Sequence, residues 1–379
     1  MSGRRCFKWL LAVLVGVGMG VFLSACGSDD QSVYFFQRLE GGSVQGISLR
    51  LSTEVSTFSG TAGISGSTDG IGADARFYQP YGITTDGKNL YVTDRRNYTI
   101  RKIVIATGEV STLAGTAGVY GTEDGIGAAA SFREPTGITT DGRYLYVSDK
   151  GADTIRKIEI ATAEVSTLAG LSVASGAVDG IGSDARFNEP YGLTIDGGNL
   201  YVADSQNHLV RKVEIATAEV TTLAGTAGVS GTADGTGTAA MFNEPRGITT
   251  NGSMVYVADS MNHTIRMIDP VTAEVTTIAG TVGVAGAVDG IGTAASFSRP
   301  VGLTCDGKNI YVADYENHMV RKMVIATREV TTIAGTGATG FEDNVIGTLA
   351  TFNQPSGLTT DGHSLFVVDR INHTIRRID

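Results

Sequence analysis

A set of residues recurs six times in this chain at a constant spacing of 55 residues, and no insertion or deletion interrupts the series. In the first copy these residues include Pro80, Gly82, Asp94 and Arg101. A chain of 379 residues would usually contain two or three domains, but repeats that stack on their neighbours can form one domain of this size. The spacing therefore predicts a single closed array. The recurring prolines are Pro80, Pro135, Pro190, Pro245, Pro300 and Pro355.

Each copy contains four short segments that favour β-structure. In the third copy they cover residues 192–195, 200–203, 209–215 and 219–224, and an Asp-Gly pair after the first segment predicts a tight hairpin turn. The segments show no helical periodicity, and a glycine-rich connection leads to the next copy. The sequence therefore predicts an all-β fold, a six-bladed β-propeller with four antiparallel strands per blade.

The two ends of the array complement each other. The last copy stops inside its third strand, while residues 54–60 match residues 109–115, which form the fourth strand of the first copy. We expect the N-terminal strand to complete the last blade, because this removes an open sheet edge. Deletion of residues 50–60 is then expected to unfold the whole propeller cooperatively.

The N-terminal segment is typical of an export signal. Three basic residues precede an apolar run over residues 9–22, which is too short to span a membrane and suits the core of a signal peptide. The run ends at Leu-Ser-Ala-Cys, which resembles a bacterial lipobox and implies lipidation of Cys26. The alternative is an ordinary secretory signal with a chance cysteine.

The predicted organisation is a signal peptide over residues 1–25, a lipidated Cys26 with a flexible tether over residues 26–49, and a propeller over residues 50–379. Gly27 follows the cysteine, and resemblance to bacterial lipoprotein sorting then favours the outer membrane of the cell envelope. Either leaflet of that membrane is compatible with the sequence.

Two recurring patterns resemble the NHL repeat over about residues 50–379. The first is P-x-G-[IL]-T-x-[DN]-G, and the second is [YF]-V-x-D-x-x-N-H-x-[IV]-R. The resemblance implies a propeller that docks partners on one face. Some NHL domains bind RNA, but a formal net charge of −10 and an envelope location disfavour nucleic acid as a partner.

Residues repeated in most copies are expected to build the blades. Arg101 could pair with Asp94, Phe77 could fill the gap between blades, and Gly82 suits a crowded inner strand because it lacks a Cβ. The unrepeated Cys305 is expected to be a small buried core residue.

Two further sets resemble metal sites but are expected to be structural. Turns on separate blades lie too far apart to meet at one zinc ion, so turn hydrogen bonding is favoured for His208, His263, His318 and His373. Calcium takes about six to eight oxygens. The D-G-x-G loops offer one constant carboxylate each, so tight turns are favoured at Asp69, Asp124, Asp179, Asp234 and Asp289.

The residues that open the inner strands are expected to face the central axis. Propeller lactonases and amidating lyases, which are relatives of this fold, hold metals on that axis with carboxylates or imidazoles. The six residues here supply neither group, so we expect no catalytic residue, no metal ligand and no cofactor. The alternatives to a binding scaffold are a metal-dependent lactonase-like hydrolase and a purely architectural role. These residues are Tyr81, Thr136, Tyr191, Arg246, Val301 and Ser356.

Function is expected where the repeats differ from one another. The variable turn between the second and third strands carries Arg95 and Arg96 in blade 1, Lys150 in blade 2 and Arg370 in blade 6, and ring closure makes these blades neighbours. We expect this basic arc to bind an anionic partner, either an acidic saccharide or a carboxylate-rich protein surface, and the protein to be a monomer. Tyr81, Tyr191 and Arg246 are expected to line the central mouth beside the arc. The alternative is that the four cations are solvated surface charges.

Overall fold

The computed structural model of the protein describes residue 49 and residues 51–379. The predicted signal peptide, Cys26 and nearly all of the predicted tether lie outside the described residues. The described chain forms six antiparallel sheets arranged as the blades of a propeller, which confirms the predicted fold class. Among the described residues no helix is long and apolar enough to cross a membrane.

We name the strands of each blade a to d from the axis outward. Strands a are Ile83–Thr85, Pro135–Thr140, Pro190–Asp196, Pro245–Thr250, Pro300–Cys305 and Pro355–Thr360. Strands b are Asn89–Asp94, Tyr144–Asp149, Asn199–Asp204, Val255–Asp259, Asn309–Asp314 and Leu365–Asp369. Strands c are Thr99–Val104, Thr154–Glu159, Leu209–Glu214, Thr264–Ile268, Met319–Val324 and Thr374–Ile378. Strands d are Glu109–Ala114, Glu164–Ala169, Glu219–Ala224, Glu274–Ala279, Glu329–Ala334 and, in blade 6, Val55–Ser59.

Short 3₁₀ turns join these strands. Four lie between strands b and c, at Lys150–Ala152, Ser205–Asn207, Ser260–Asn262 and Tyr315–Asn317. Six lie in the glycine-rich loops, at Gly72–Asp74, Gly127–Ala129, Gly182–Asp184, Gly237–Ala239, Gly292–Ala294 and Gly347–Leu349.

The prediction of four strands per blade was wrong for five of the six blades. A two-residue strand from the loop that precedes each of these blades pairs with strand d of the same blade. The loop thus crosses the outer edge of the blade before it reaches the axis, and it covers part of an otherwise unpaired edge. These fifth strands are Gly70–Ile71, Gly125–Ile126, Gly180–Ile181, Gly235–Thr236 and Gly290–Ile291.

The ring closes as the sequence predicts. Val55–Ser59 pairs antiparallel with Thr374–Ile378, with Val55 opposite Ile378. The Asp343 carboxylate reinforces this pairing, because it accepts hydrogen bonds from the Thr57 backbone N–H at 2.9 Å and from the Arg376 Nε at 3.1 Å. Blade 6 is therefore held together by chain segments from opposite ends of the array.

Buried aromatic and ionic groups fill the spaces between blades. The Phe77 ring is fully buried among residues of blades 6 and 1, as predicted, and the Arg101 guanidinium lies 5.2 Å from its centre. The same guanidinium donates to Asp94 at 2.8 Å and to Asp69 at 2.7 Å. The D-G-x-G aspartate therefore anchors its loop to strand c, and its oxygens also accept from Thr112 of strand d.

The four repeated histidines join neighbouring blades. The Nδ1 atom of His208 accepts a hydrogen bond from the backbone N–H of Glu244 in the next blade, at 3.2 Å. His263, His318 and His373 make the equivalent bonds, and Asp153 replaces the imidazole with a carboxylate in blade 2. Hydrogen bonding was the predicted role, but these bonds connect blades rather than stabilise the histidine's own turn. We call these four residues the latch histidines.

Candidate functional site

The candidate site lies where strands a begin, on the face that carries the b–c turns. Six side chains ring the axis there, and a cavity of about 60 Å³ lies between the inner strands. A Cβ on Gly82 would come within 2.1 Å of the Thr136 carbonyl oxygen, so the inner strands pack too closely to leave a wide channel. A cavity of this size holds a few water molecules or one small chemical group. The ring consists of Tyr81, Thr136, Tyr191, Arg246, Val301 and Ser356.

Two tyrosines form one side of this mouth. The Tyr81 and Tyr191 rings meet edge to face, with centroids 5.3 Å apart. The Tyr81 hydroxyl is buried and makes no hydrogen bond of normal length within the described part of the chain, although it interacts with the Tyr191 hydroxyl. Burial, together with the neighbouring Tyr191, raises the pKa of Tyr81 well above its usual range. Tyr81 is therefore a neutral hydrogen-bond donor at ordinary pH.

Cations surround both rings. The Arg95 and Arg370 guanidiniums lie 5.7 Å and 5.9 Å from the Tyr81 ring centre, and Arg246 lies 5.0 Å from that of Tyr191. Burial opposes ionisation of Tyr191, but the charges of Arg246, Arg95 and Lys150 outweigh it and lower the pKa of this phenol. The mouth thus has a positive potential strong enough to favour an anion at a buried position.

Three members of the predicted basic arc share one carboxylate. Glu134 lies 3.0 Å from Arg95, 3.2 Å from Arg96 and 3.5 Å from Lys150. Lys150 also reaches Glu189 at 3.0 Å. Burial opposes ionisation of Glu134, but Arg95, Lys150 and Arg96 together lower its pKa below the usual range. These cations form a partly buried ion-pair network rather than a row of solvated charges.

The fourth member of the arc is held differently. Arg370 donates to the side-chain oxygens of Gln354 at 2.9 Å and Gln79 at 3.1 Å, and it also donates to the Tyr315 hydroxyl. Amide and phenol oxygens are neutral acceptors, so they fix this guanidinium without balancing its charge. Arg246, by contrast, pairs with Glu244 at 2.7 Å.

The structure brings together the residues that the sequence assigns to the arc and to the mouth. The sequence reasoning missed Tyr315 and the residue that precedes each repeated proline, which contacts the arc or a ring residue in every blade except blade 5, where Arg299 pairs with Glu316. That position carries Gln79, Glu134, Glu189, Glu244, Arg299 and Gln354. Its variation between copies was a usable signal, because it lies one residue from a constant proline and beside the axis.

The remaining acidic and sulfur groups form no metal site within the described ranges. No three His, Cys, Asp or Glu side chains there come together in a way that could hold a metal ion. Cys305 is buried, as predicted, and its sulfur accepts a hydrogen bond from the Gly307 backbone N–H at 3.2 Å.

The described residues form a six-bladed β-propeller whose third blade carries an NHL repeat. The NHL repeat model matches residues 187–213, which cover strands a to c of blade 3 almost completely. The chain is 30% identical over 306 residues to human NHL repeat-containing protein 2, and 31% identical over 303 residues to its bovine counterpart. These alignments cover 71% and 70% of this chain but only 42% and 41% of the relatives, so the chain spans about two fifths of their length.

Solved structures share the same architecture. A protein of unknown function from Bacteroides thetaiotaomicron superimposes with a TM-score of 0.66 at 23% identity, over 86% of this chain and 75% of that one. An auxiliary nutrient binding protein from the same organism gives a TM-score of 0.64 at 20% identity, over 86% and 76%. At these identities the similarity concerns the fold.

Proposed function

We propose that this protein is a binding scaffold of the bacterial cell envelope, held by a lipid on Cys26 at the outer membrane, and that the face carrying the b–c turns binds an anionic partner. The observation that carries the proposal is the convergence of five cations and three tyrosines at one end of the axis in an acidic protein. The cations are Arg95, Arg96, Lys150, Arg246 and Arg370, and the carboxylates paired with them are Glu134, Glu189 and Glu244.

The chemistry of the partner follows from this imbalance. Within the described contacts five positive charges meet three negative ones, so the face keeps a positive excess although the whole chain has a formal charge of −10. Guanidinium groups suit planar carboxylates, which they bind through paired N–H donors. An acidic saccharide or a carboxylate-rich protein surface fits this description.

The likeness to an auxiliary nutrient binding protein from Bacteroides thetaiotaomicron is consistent with a binding role for this fold. That protein and this chain share the propeller architecture, and the proposal for this chain rests on its own side chains.

Binding to immobilised polygalacturonate, with neutral dextran as the reference matrix, tests the proposed partner chemistry. Full-length protein in detergent is expected to bind the acidic polymer, and more weakly as salt rises. Glu134→Gln removes the shared carboxylate and is expected to strengthen binding, whereas the double substitution Arg96→Gln, Lys150→Gln is expected to weaken it.

The matched control is Arg143→Gln, which removes an exposed arginine from an a–b hairpin on the opposite face, where it pairs with Glu159 at 3.0 Å. This variant is expected to bind as the wild type does. Equal effects of Arg143→Gln and of the double substitution would show general charge attraction and would refute a site on this face.

The anchor is tested separately. Metabolic labelling with a radioactive fatty acid is expected to mark the wild type and not Cys26→Ser, and the labelled protein is expected in the outer-membrane fraction. Equal labelling of both proteins would refute lipidation at this cysteine.

A further inference from the structure

The recess at the mouth has donors at its rim and aliphatic side chains, such as Ile83 and Leu193, deeper along the axis. The buried Tyr81 hydroxyl at the rim makes no hydrogen bond of normal length among the described residues, and the guanidiniums of Arg246 and Arg370 beside it can only donate. The carboxylate nearest to Arg246 is Glu244, which is already paired with it. A buried hydroxyl without a partner is unfavourable unless a ligand accepts its hydrogen. The ligand that completes this recess is therefore an acceptor.

The charge of that acceptor follows from Arg370. Arg95 and Lys150 occupy the same position in their own turns, and both pair with glutamates. Arg370 has amide oxygens at the corresponding places, so its positive charge stays unbalanced within the described contacts. Since Arg246 is paired with Glu244 and Arg95 with Glu134, Arg370 is the cation beside Tyr81 that has no carboxylate partner within the described contacts. A monoanion satisfies it.

The size of the recess limits what can enter. The cavity of about 60 Å³ is narrow, because the inner strands of neighbouring blades approach closely at Gly82, and a carboxylate group is small enough to enter it. The rest of the ligand must stay at the rim. There Gln79 and Gln354 use their oxygens on Arg370, which leaves their amide N–H groups as donors for neutral hydroxyls.

We propose that this recess binds the carboxylate of a sugar acid, with the Tyr81 hydroxyl donating to one oxygen and Arg370 balancing the charge. The inference rests on the proposed function and deepens it, because it identifies the group by which an acidic saccharide is held. The sugar ring lies at the rim, where its hydroxyls meet the two glutamines.

Isothermal titration calorimetry of the full chain in detergent, at constant ionic strength, tests this assignment. Glucuronate is expected to bind, glucose is expected not to bind, and acetate and inorganic phosphate are expected to bind at least tenfold more weakly than glucuronate. Tyr81→Phe keeps the ring and removes the hydroxyl, so it is expected to weaken glucuronate binding by roughly tenfold to a hundredfold. Tyr78→Phe, at an exposed tyrosine that does not line the recess, is the matched control.

A second variant keeps the test decisive if the first alters folding. Arg370→Lys retains the charge but cannot bridge Gln79 and Gln354 as the guanidinium does, so the charge is no longer held beside Tyr81 and glucuronate binding is expected to weaken by about tenfold. Equal binding by wild type, Tyr81→Phe and Arg370→Lys would overturn the assignment, as would tighter binding of phosphate or equal binding of glucose. If polygalacturonate capture persists under those results, the proposed function stands and only the assignment of the recess fails. If capture is lost while glucuronate binding is intact, the proposed function fails and the assignment of the recess stands.

Discussion

The contact that closes the ring gives a sharp prediction about stability. Asp343→Ala removes four hydrogen bonds: two from Thr57, at 2.9 and 3.1 Å, and two from Arg376, at 3.1 and 2.5 Å. The Asp343 side chain is 45% exposed, which reduces each contribution, and a total loss of roughly 2 kcal/mol is expected. For a propeller of this size, that loss corresponds to a fall in melting temperature of about 3 °C.

The matched control is Asp289→Ala in blade 5. Asp289 accepts the same kinds of bonds from Thr332 and Arg321, and its side chain is 49% exposed. Strand d of blade 5 follows strand c directly along the chain, whereas Val55–Ser59 reaches Thr374–Ile378 only through hydrogen bonds and packing. Because Asp343 and Asp289 accept similar hydrogen bonds, both variants are expected to lower the melting temperature by similar amounts. The difference in chain connectivity is expected to appear in local opening instead.

Hydrogen–deuterium exchange distinguishes the two variants. Asp343→Ala is expected to accelerate exchange in the peptide covering residues 54–60, because this strand can separate without breaking a short covalent turn. Asp289→Ala is expected to leave strand d of blade 5 protected. If the two variants show equal acceleration in their own d strands, or if the 54–60 peptide stays as protected as in the wild type, the reasoning about closure is wrong.

Three further outcomes are expected. Gly82→Ala is expected to cost about 3 kcal/mol, because the new Cβ would meet the Thr136 carbonyl oxygen at 2.1 Å, whereas Gly198→Ala, with open space around it, is expected to be nearly neutral in a denaturation experiment. Burial lowers the pKa of each latch histidine, including His373, below the unfolded value of about 6.5. Their contribution to stability is thus complete above that pH and is lost as the pH falls through it towards the folded pKa; an NMR titration midpoint above 6.5 for any latch would contradict this. Burial raises the pKa of the Cys305 thiol to about 12, so peptide mapping at about pH 8 is expected to find this thiol unlabelled in the native protein and labelled after denaturation.

The fold could be predicted from the sequence because six copies support each inference. Strands a to d, the closing strand and the burial of Phe77 all follow from positions that recur from copy to copy. The fifth strand was missed because two residues such as Gly70–Ile71 are too short to show the alternation that identifies a strand. The latch histidines were assigned to their own turns because periodicity relates equivalent positions, and it does not show that His208 meets a backbone group 36 residues away in the next blade.

Periodicity also failed to show which residues of neighbouring blades meet at the candidate site. One rule taken from the structure supplies these contacts. A residue at the start of a b–c turn contacts the residue 39 positions later, just before the next proline, as Arg95 contacts Glu134 and Tyr315 contacts Gln354. Lys150 and Glu189 obey the same rule, and ring closure carries it from Arg370 to Gln79. Applied to the sequence, the rule gives a partner to each of the three cations that begin a b–c turn. The partners of Arg95 and Lys150 are glutamates, and the partner of Arg370 is a glutamine. Cationic side chains alone therefore do not locate a binding site in this propeller, because most are neutralised across the blade boundary. The informative position is Arg370, because the next blade supplies the amide of Gln79 there instead of a carboxylate. Its guanidinium also lies 5.9 Å from the ring centre of Tyr81, whose hydroxyl is buried.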